Sequence, residues 1–329
     1  MVAPSVWVLA DDRAGNVNQA LGVAEALGLP FEVKQIRYTG LAALPNFMRG
    51  ASTLGLTDAS VGQLSAPWPE VVIGAGRRVA PVSRWIKRMA GGRAFLVQIM
   101  FPGGYGAGAI GEFNLIAVPR HDSFSDILPT VLRITGAPHR VTPDRLDREA
   151  EAWRERFDGY PRPFISVLVG GATKNRPFGA REAADFADRL RRLQAEAGGT
   201  LLLTTSRRTP AEAVAVLERS LPQPMWLYKV GDTGENPYFG LLALADAVVV
   251  TGDSVSMCSE ACATQGPVFI HAPPGMVAPK HARLHAELYR LGYARPFTGA
   301  FEDWSHPPLN AAREIALAVR QNLGLPLPG

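Results

Sequence analysis

Little in this chain of 329 residues supports a covalently stapled or membrane-spanning protein. It has only two cysteines. Cys258 and Cys262 stand four apart in one expected helix, without a CxxC spacing or neighbouring histidines. The pair reads as small buried core residues rather than a disulfide or a metal site, and no metal is expected. No apolar run approaches the roughly 20 residues that cross a bilayer. The opening MVAPSVWVLADDR has no basic n-region, and its apolar run is too short for a secretory leader. A cytoplasmic protein, at most peripheral to the inner face of a membrane, is expected. Charge of one sign is not in excess either: 34 Lys and Arg against 30 Asp and Glu give +4, and no nucleic-acid partner is expected. No strand is followed by GxGxxG with an acid about 20 residues later, which disfavours a nicotinamide cofactor.

What is present is ample core material, 47% apolar against 19% charged residues, in a length that suggests two domains. Short apolar runs alternate with amphipathic helix-length runs, the pattern of a parallel sheet covered on both faces. In the first half the strands are expected at 5–10, 31–38, 70–74, 94–99 and 113–118. In the second half they are expected at 164–170, 200–205, 225–229, 245–250 and 267–271. Between these halves the composition turns to Pro, Asp, Arg and Glu. The expected division is a first domain over 1–145, a linker over 146–163, a second domain over 164–308, and a last helix over 309–329 that returns to the first. The fold class is α/β, with two Rossmann-like doubly wound domains facing a cleft.

In open α/β sheets the ligand lies at the carboxyl ends of the strands, so the turns there carry the functional reading. After 164–170, Gly170 and Gly171 permit close backbone approach, and Lys174 and Arg176 bring charge for a phosphate. After 200–205 come Ser206, Arg207, Arg208 and Thr209, with the threonine read as a helix cap and one of the two arginines as an anion ligand. Glu235 and Asn236 precede a short helix, either as its cap or as a grip on a planar base. After 245–250 the chain turns through Gly252, Asp253, Ser254 and Ser256 into a helix start suited to phosphate. Glu260 follows where a carboxylate can accept from two vicinal ribose hydroxyls. Its neighbours Met257, Cys258, Ala261 and Cys262 indicate a buried helix, in which an unpaired carboxylate is costly.

Gly252, Ser254, Ser256 and Glu260, followed by Gly266-Pro267, resemble the donor site of GT-B glycosyltransferases. More specifically, DDRAGNVNQALGVAEALG, TTSRRTP, GENPYFG and VVTGDSVSMCSEACATQGPV resemble the mitochondrial-fission "elongated mitochondria" family of plants and its bacterial relatives. Four motifs in order span both halves. One departure is Ala10-Asp11-Asp12, where the family pattern has Thr-Asp-Gly. The resemblance implies a GT-B-like fold and activity on a nucleotide sugar as substrate, with no separate cofactor.

An acceptor and a general base are then expected from the first domain. The base candidates are Asp11 and Asp12 after the first strand, and His121 with Asp122 after the strand over 113–118. Acceptor-side candidates are Arg13, Gly15, Asn16, Asn18 and Gln19, together with Arg77 and Arg78. The run from Arg77 to Arg93 holds six cations, Trp85 and no acid, so a cationic helix resting on an anionic membrane surface competes with a solvated helix face. The expected function is metal-independent transfer from a nucleoside-diphosphate sugar to a lipid-linked or envelope-glycan acceptor. A nucleotide-sugar epimerase or hydrolase and a non-catalytic membrane adaptor are the alternatives.

Overall fold

The structure is a computed structural model and describes residues 4–124, 128–173 and 176–327. The chain divides into two compact units, one of Met1–Arg140 with Asn310–Gly329, the other of Val141–Leu309. In unit 1 the strands are β1 (Val6–Ala10), β2 (Phe31–Gln35), β3 (Val71–Ala75), β4 (Phe95–Ile99), β5 (Leu115–Pro119) and β6 (Val131–Ile134). They form one parallel sheet in the order β2-β1-β3-β4-β5-β6. Successive residues of β1 enter opposite cores. Val6 and Val8 pack with the helices Ala14–Leu27 and Ala311–Asn322, while Trp7 and Leu9 pack with the helix Ala80–Met89. Burial on both faces is why β1, β3, β4 and β5 are largely apolar runs.

Unit 2 repeats the plan with β7 (Phe164–Val169), β8 (Thr200–Thr205), β9 (Met225–Tyr228), β10 (Ala247–Thr251), β11 (Val268–His271) and β12 (Arg295–Pro296). Their order is β12-β11-β10-β7-β8-β9, again parallel. Ile165, Val167 and Val169 face the helices Ala180–Ala197 and Ala211–Ser220. Leu168 on the other face shares a core with Cys258, Cys262 and Leu284, both cysteines being fully buried.

Several differences from the sequence expectation have physical causes. The segment 146–163 is not a separate linker: the helix Pro143–Arg154 is part of unit 2 and packs on Tyr238–Leu244. The first helix starts at Ala14, so Asn16 lies inside its first turn. The cations of the helix Ala80–Met89 have an acid partner from outside their run. Arg84, only 5% exposed, donates to Glu112 from Nε at 3.1 Å and from Nη2 at 2.7 Å. Arg88 adds a bond of 3.1 Å to the same carboxylate, and Lys87 binds the Glu112 carbonyl and Asn114 Oδ1. Trp85 meets Trp68 edge-on, with ring centroids 5.6 Å apart. Burial opposes ionisation of Glu112, but the bonds from Arg84 and Arg88 hold its carboxyl below the usual range. Glu112→Ala is therefore expected to cost about 2 kcal/mol, read as a lower urea midpoint; an unchanged midpoint would mean that solvent replaces the carboxylate.

Candidate functional site

In an open parallel sheet the crevice opens where the strand order reverses, because the connections on either side leave to opposite faces. In unit 2 that point lies between β7 and β10. The turn 170–173 after β7 and the turn 252–254 after β10 meet there, and both halves of this meeting are polar. Gly170 N donates to Thr251 Oγ1 at 2.7 Å and Gly171 N to Asp253 Oδ2 at 3.0 Å. Ala172 N and Thr173 N donate to the carbonyls of Arg208 and Arg176. The main-chain donors of this turn are thus already committed, which corrects the expectation that Gly170 and Gly171 cradle a phosphate with theirs. Their smallness serves packing. A Cβ on Gly170 would stand 2.4 Å from the Asp253 carboxylate, and one on Gly171, at φ +150°, would stand 2.2 Å from the Arg208 carbonyl.

The turn after β8 closes the same knot. Ser206 and Thr209 both donate their hydroxyls to the Gly170 carbonyl, and Ser206 Oγ accepts from Arg208 N at 3.1 Å. Arg208 bends back to Asp253, 2.7 Å from Oδ2, while Asp253 itself is 4% exposed. Arg207 goes elsewhere, lining a pocket of about 380 Å³ with Thr205, Val214, Glu218 and Lys229. Of the two arginines it is Arg208 that reaches the Asp253 turn. Lys174 lies outside the described residues.

Gly252 is held from below by His285, whose ring would be 2.5 Å from an added Cβ. Burial lowers the pKa of His285 to about 4, helped by the nearby His281, so it is neutral near pH 7. Ser254 caps the helix Val255–Ala261, accepting from Met257 N at 3.3 Å. Ser256 stands half-buried in its first turn. Glu260, 8% exposed, accepts from the Tyr238 hydroxyl at 2.5 Å. Burial raises its pKa to about 7, against the opposing pull of that bond and of Arg145. Asn236 accepts from Tyr238 N at 3.1 Å, which starts the helix that presents Tyr238. Glu235 instead lines a pocket of about 350 Å³ with Trp153, Arg156, Trp226 and Tyr228.

In unit 1 the reversal lies between β1 and β3. Asp11 accepts from Arg13 N at 2.9 Å and from Asn16 Nδ2 at 3.1 Å, and its carboxylate lies 3.5 Å from Arg78. Asp12, exposed, takes the same guanidinium through both oxygens. Asp11 therefore organises its loop, and Asp12 is the aspartate that faces solvent. Gln19 is buried, whereas Gly15 and Asn18 are exposed, and Arg77 binds the Leu44 carbonyl at 3.2 Å. His121 is 2% exposed, with Nε2 4.0 Å from Asp122 Oδ1. Arg133 fastens the loop around it by donating to the carbonyls of Pro119, Arg120, Asp122 and Phe124. His121 follows β5 and Asp11 follows β1, three strand spacings or about 14 Å apart along the edge, so these base candidates are not one cluster. Thr251, Tyr238 and His285 in unit 2, and Tyr38, Asn46 and Arg49 in unit 1, were not singled out from the sequence. Thr251 and Tyr238 stood inside quoted motifs.

The chain matches the family model described as "Mitochondrial fission ELM1" over residues 14–323. Mitochondrial fission protein ELM1 of Arabidopsis thaliana is 33% identical over 298 residues, covering 83% of this chain and 68% of that protein. Uncharacterized protein RP120 of Rickettsia prowazekii is 28% identical over 355 residues, covering 96% of this chain and 98% of that protein. The solved UDP-GlcNAc 2-epimerase of Methanocaldococcus jannaschii aligns with 97% of this chain and 99% of its own, at a TM-score of 0.52 and 10% identity. That likeness is one of fold, the two-Rossmann, GT-B-like architecture.

Proposed function

The chain belongs to the mitochondrial fission ELM1 family, and from that premise we propose that unit 2 binds a nucleoside-diphosphate sugar and that the protein transfers the sugar to a hydroxyl acceptor. The observation that carries this is Glu260: a carboxylate buried beside the polar turn of a sheet's switch point, with one protein hydroxyl on it and a pKa near 7. Ionised, it accepts hydrogen bonds from the vicinal hydroxyls of a ribose. The diphosphate lies over the Gly252–Ser256 turn, whose helix start leaves N–H groups without intrahelical acceptors. Arg208, held beside this turn by Asp253, is the cation placed to balance the charge of the leaving group. Such preorganised donors act where charge develops as the sugar departs.

Calorimetric titration with UDP, GDP and their sugars tests the reading. At least one nucleotide is expected to bind, and Glu260→Ala to weaken it about tenfold or more, the worth of a charge-assisted bond. No binding of any nucleotide overturns it. Turnover of the sugar nucleotide without an acceptor would assign epimerisation or hydrolysis instead, and bound nucleotide with every sugar inert would assign a binding role.

A further inference from the structure

The turn after β3 in unit 1 is surrounded by polar groups that the protein itself does not satisfy. Among the described residues, Tyr38 Oη, Arg49 Nη2, Arg78 Nε, Asn46 Oδ1 and Gln98 Oε1 are buried without a hydrogen-bond partner. Buried polar atoms are nearly always paired, so five around one turn call for an occupant. They converge there by definite contacts. Arg49, 2% exposed, donates to the Arg78 carbonyl at 3.2 Å. Asn46 donates to the Arg77 carbonyl at 3.0 Å, and Gln98 to the Gly76 carbonyl at 3.1 Å. The guanidinium carbons of Arg78 and Arg49 lie 4.5 and 5.9 Å from the centre of the Tyr38 ring.

We infer that this turn is a phosphate-binding site, separate from the nucleotide site proposed for unit 2, in which Arg49, Tyr38 and Arg78 supply the donors. Three of the five unmet groups are donors, and two of those belong to guanidinium forks, the geometry that suits a phosphate's oxygens. Arg13, Arg49 and Asp11 lie close enough to Tyr38 to act on its charge, Arg77 lies close to Arg49, and Arg78 pairs with Asp11 and Asp12, so four cations stand against two carboxylates. One of these, Asp12, is exposed and holds Arg78 from the solvent side. That carboxylate occupies the fork an incoming phosphate needs, so it competes with the ligand. Arg49 had no signal in the sequence, standing in NFMRG among residues of which Phe47 and Met48 are exposed.

The test uses the full chain titrated with inorganic phosphate, with glycerol phosphate and with vesicles containing phosphatidic acid, so that a free ester and a lipid headgroup are told apart. Tyr38→Phe removes a hydroxyl that has no partner among the described residues, so it is expected to fold and to unfold at an equal or higher temperature. It is expected to weaken phosphate about five- to tenfold. Asp12→Asn is expected to strengthen phosphate by freeing Arg78, an effect that a merely structural role would not produce. The same titrations on Glu260→Ala, which weakens only the ribose contact of the proposed nucleotide site, are expected to match the unaltered protein, and Tyr38→Phe is expected to leave nucleotide affinity unchanged, so the two readings can fail separately. Phosphate affinity unchanged by both Tyr38→Phe and Asp12→Asn overturns the proposal and assigns the unmet groups to ordered water.

Discussion

Glu260→Gln is expected to make the protein more stable at pH 8 while weakening nucleotide binding. Burial raises the carboxyl from its ordinary value of 4.5 to about 7 in the folded chain. The folded state therefore holds a proton that the unfolded state releases, and stability falls as pH rises through the window from about 4.5 to about 7. Above that window the cost is on the order of 3 kcal/mol. Glutamine keeps the shape and an acceptor for the Tyr238 hydroxyl but buries no charge. The stability advantage of Glu260→Gln over the unaltered protein should grow across that window and level off above it, in urea titrations at successive pH values. A constant difference from pH 5 to 8 would show that Glu260 titrates normally. Nucleotide affinity should move the other way. The ionised carboxylate is the better acceptor for ribose hydroxyls, so binding to the unaltered protein should tighten as pH passes 7, and the glutamine variant should lose that dependence.

Asp253→Ala is expected to cost about 2 to 3 kcal/mol, the scale for leaving a buried N–H without its charged acceptor, because the Arg208 partner is 40% exposed. Its carboxylate is 1% exposed, accepts from Gly171 N and meets Arg208 at 2.7 Å. Removing it leaves a buried N–H and a guanidinium without their acceptor, and opens a void where Gly170 now has no Cβ. Thermal and urea unfolding measure the loss. The double variant Asp253→Ala with Arg208→Ala should lose less than the sum of the two single changes, because the second removes a charge that the first has orphaned. Strict additivity would show that the pair contributes nothing and that the turn is held by its main chain.

The sequence made the central strands legible because burial on both faces demands long apolar runs: TLLLTT and FISVLV coincide with β8 and β7. It hid β6 and β12 for the opposite reason. They are edge strands of four and two residues, and Arg133 and Arg295-Pro296 break the apolar pattern. Polar turns were legible as sites because position after a strand places them on the carboxyl edge. What each residue does there was not legible. Gly170 and Gly171 were recognisable as a tight turn, but that their N–H groups serve Thr251 and Asp253 depends on a contact across more than 80 residues. Tyr238 meets Glu260 from 22 positions away. The six cations after β3 looked uncompensated only because Glu112, which gathers three of them, stands outside their run.

The return of the chain to unit 1 bears on the order in which the protein can be made. Ile315 and Val319, in the helix Ala311–Asn322, are fully buried in the core that also holds Val6, Val8 and Val23. That helix is translated only after residues 141–309, an interval of roughly ten to thirty seconds at ~5–20 residues per second. Unit 2, contiguous in the chain, has all its strands available before unit 1 receives its last helix. Throughout that interval the part of Ala14–Leu27 that packs on Ala311–Asn322 stays uncovered, although its contacts with β1 and β3 are already available.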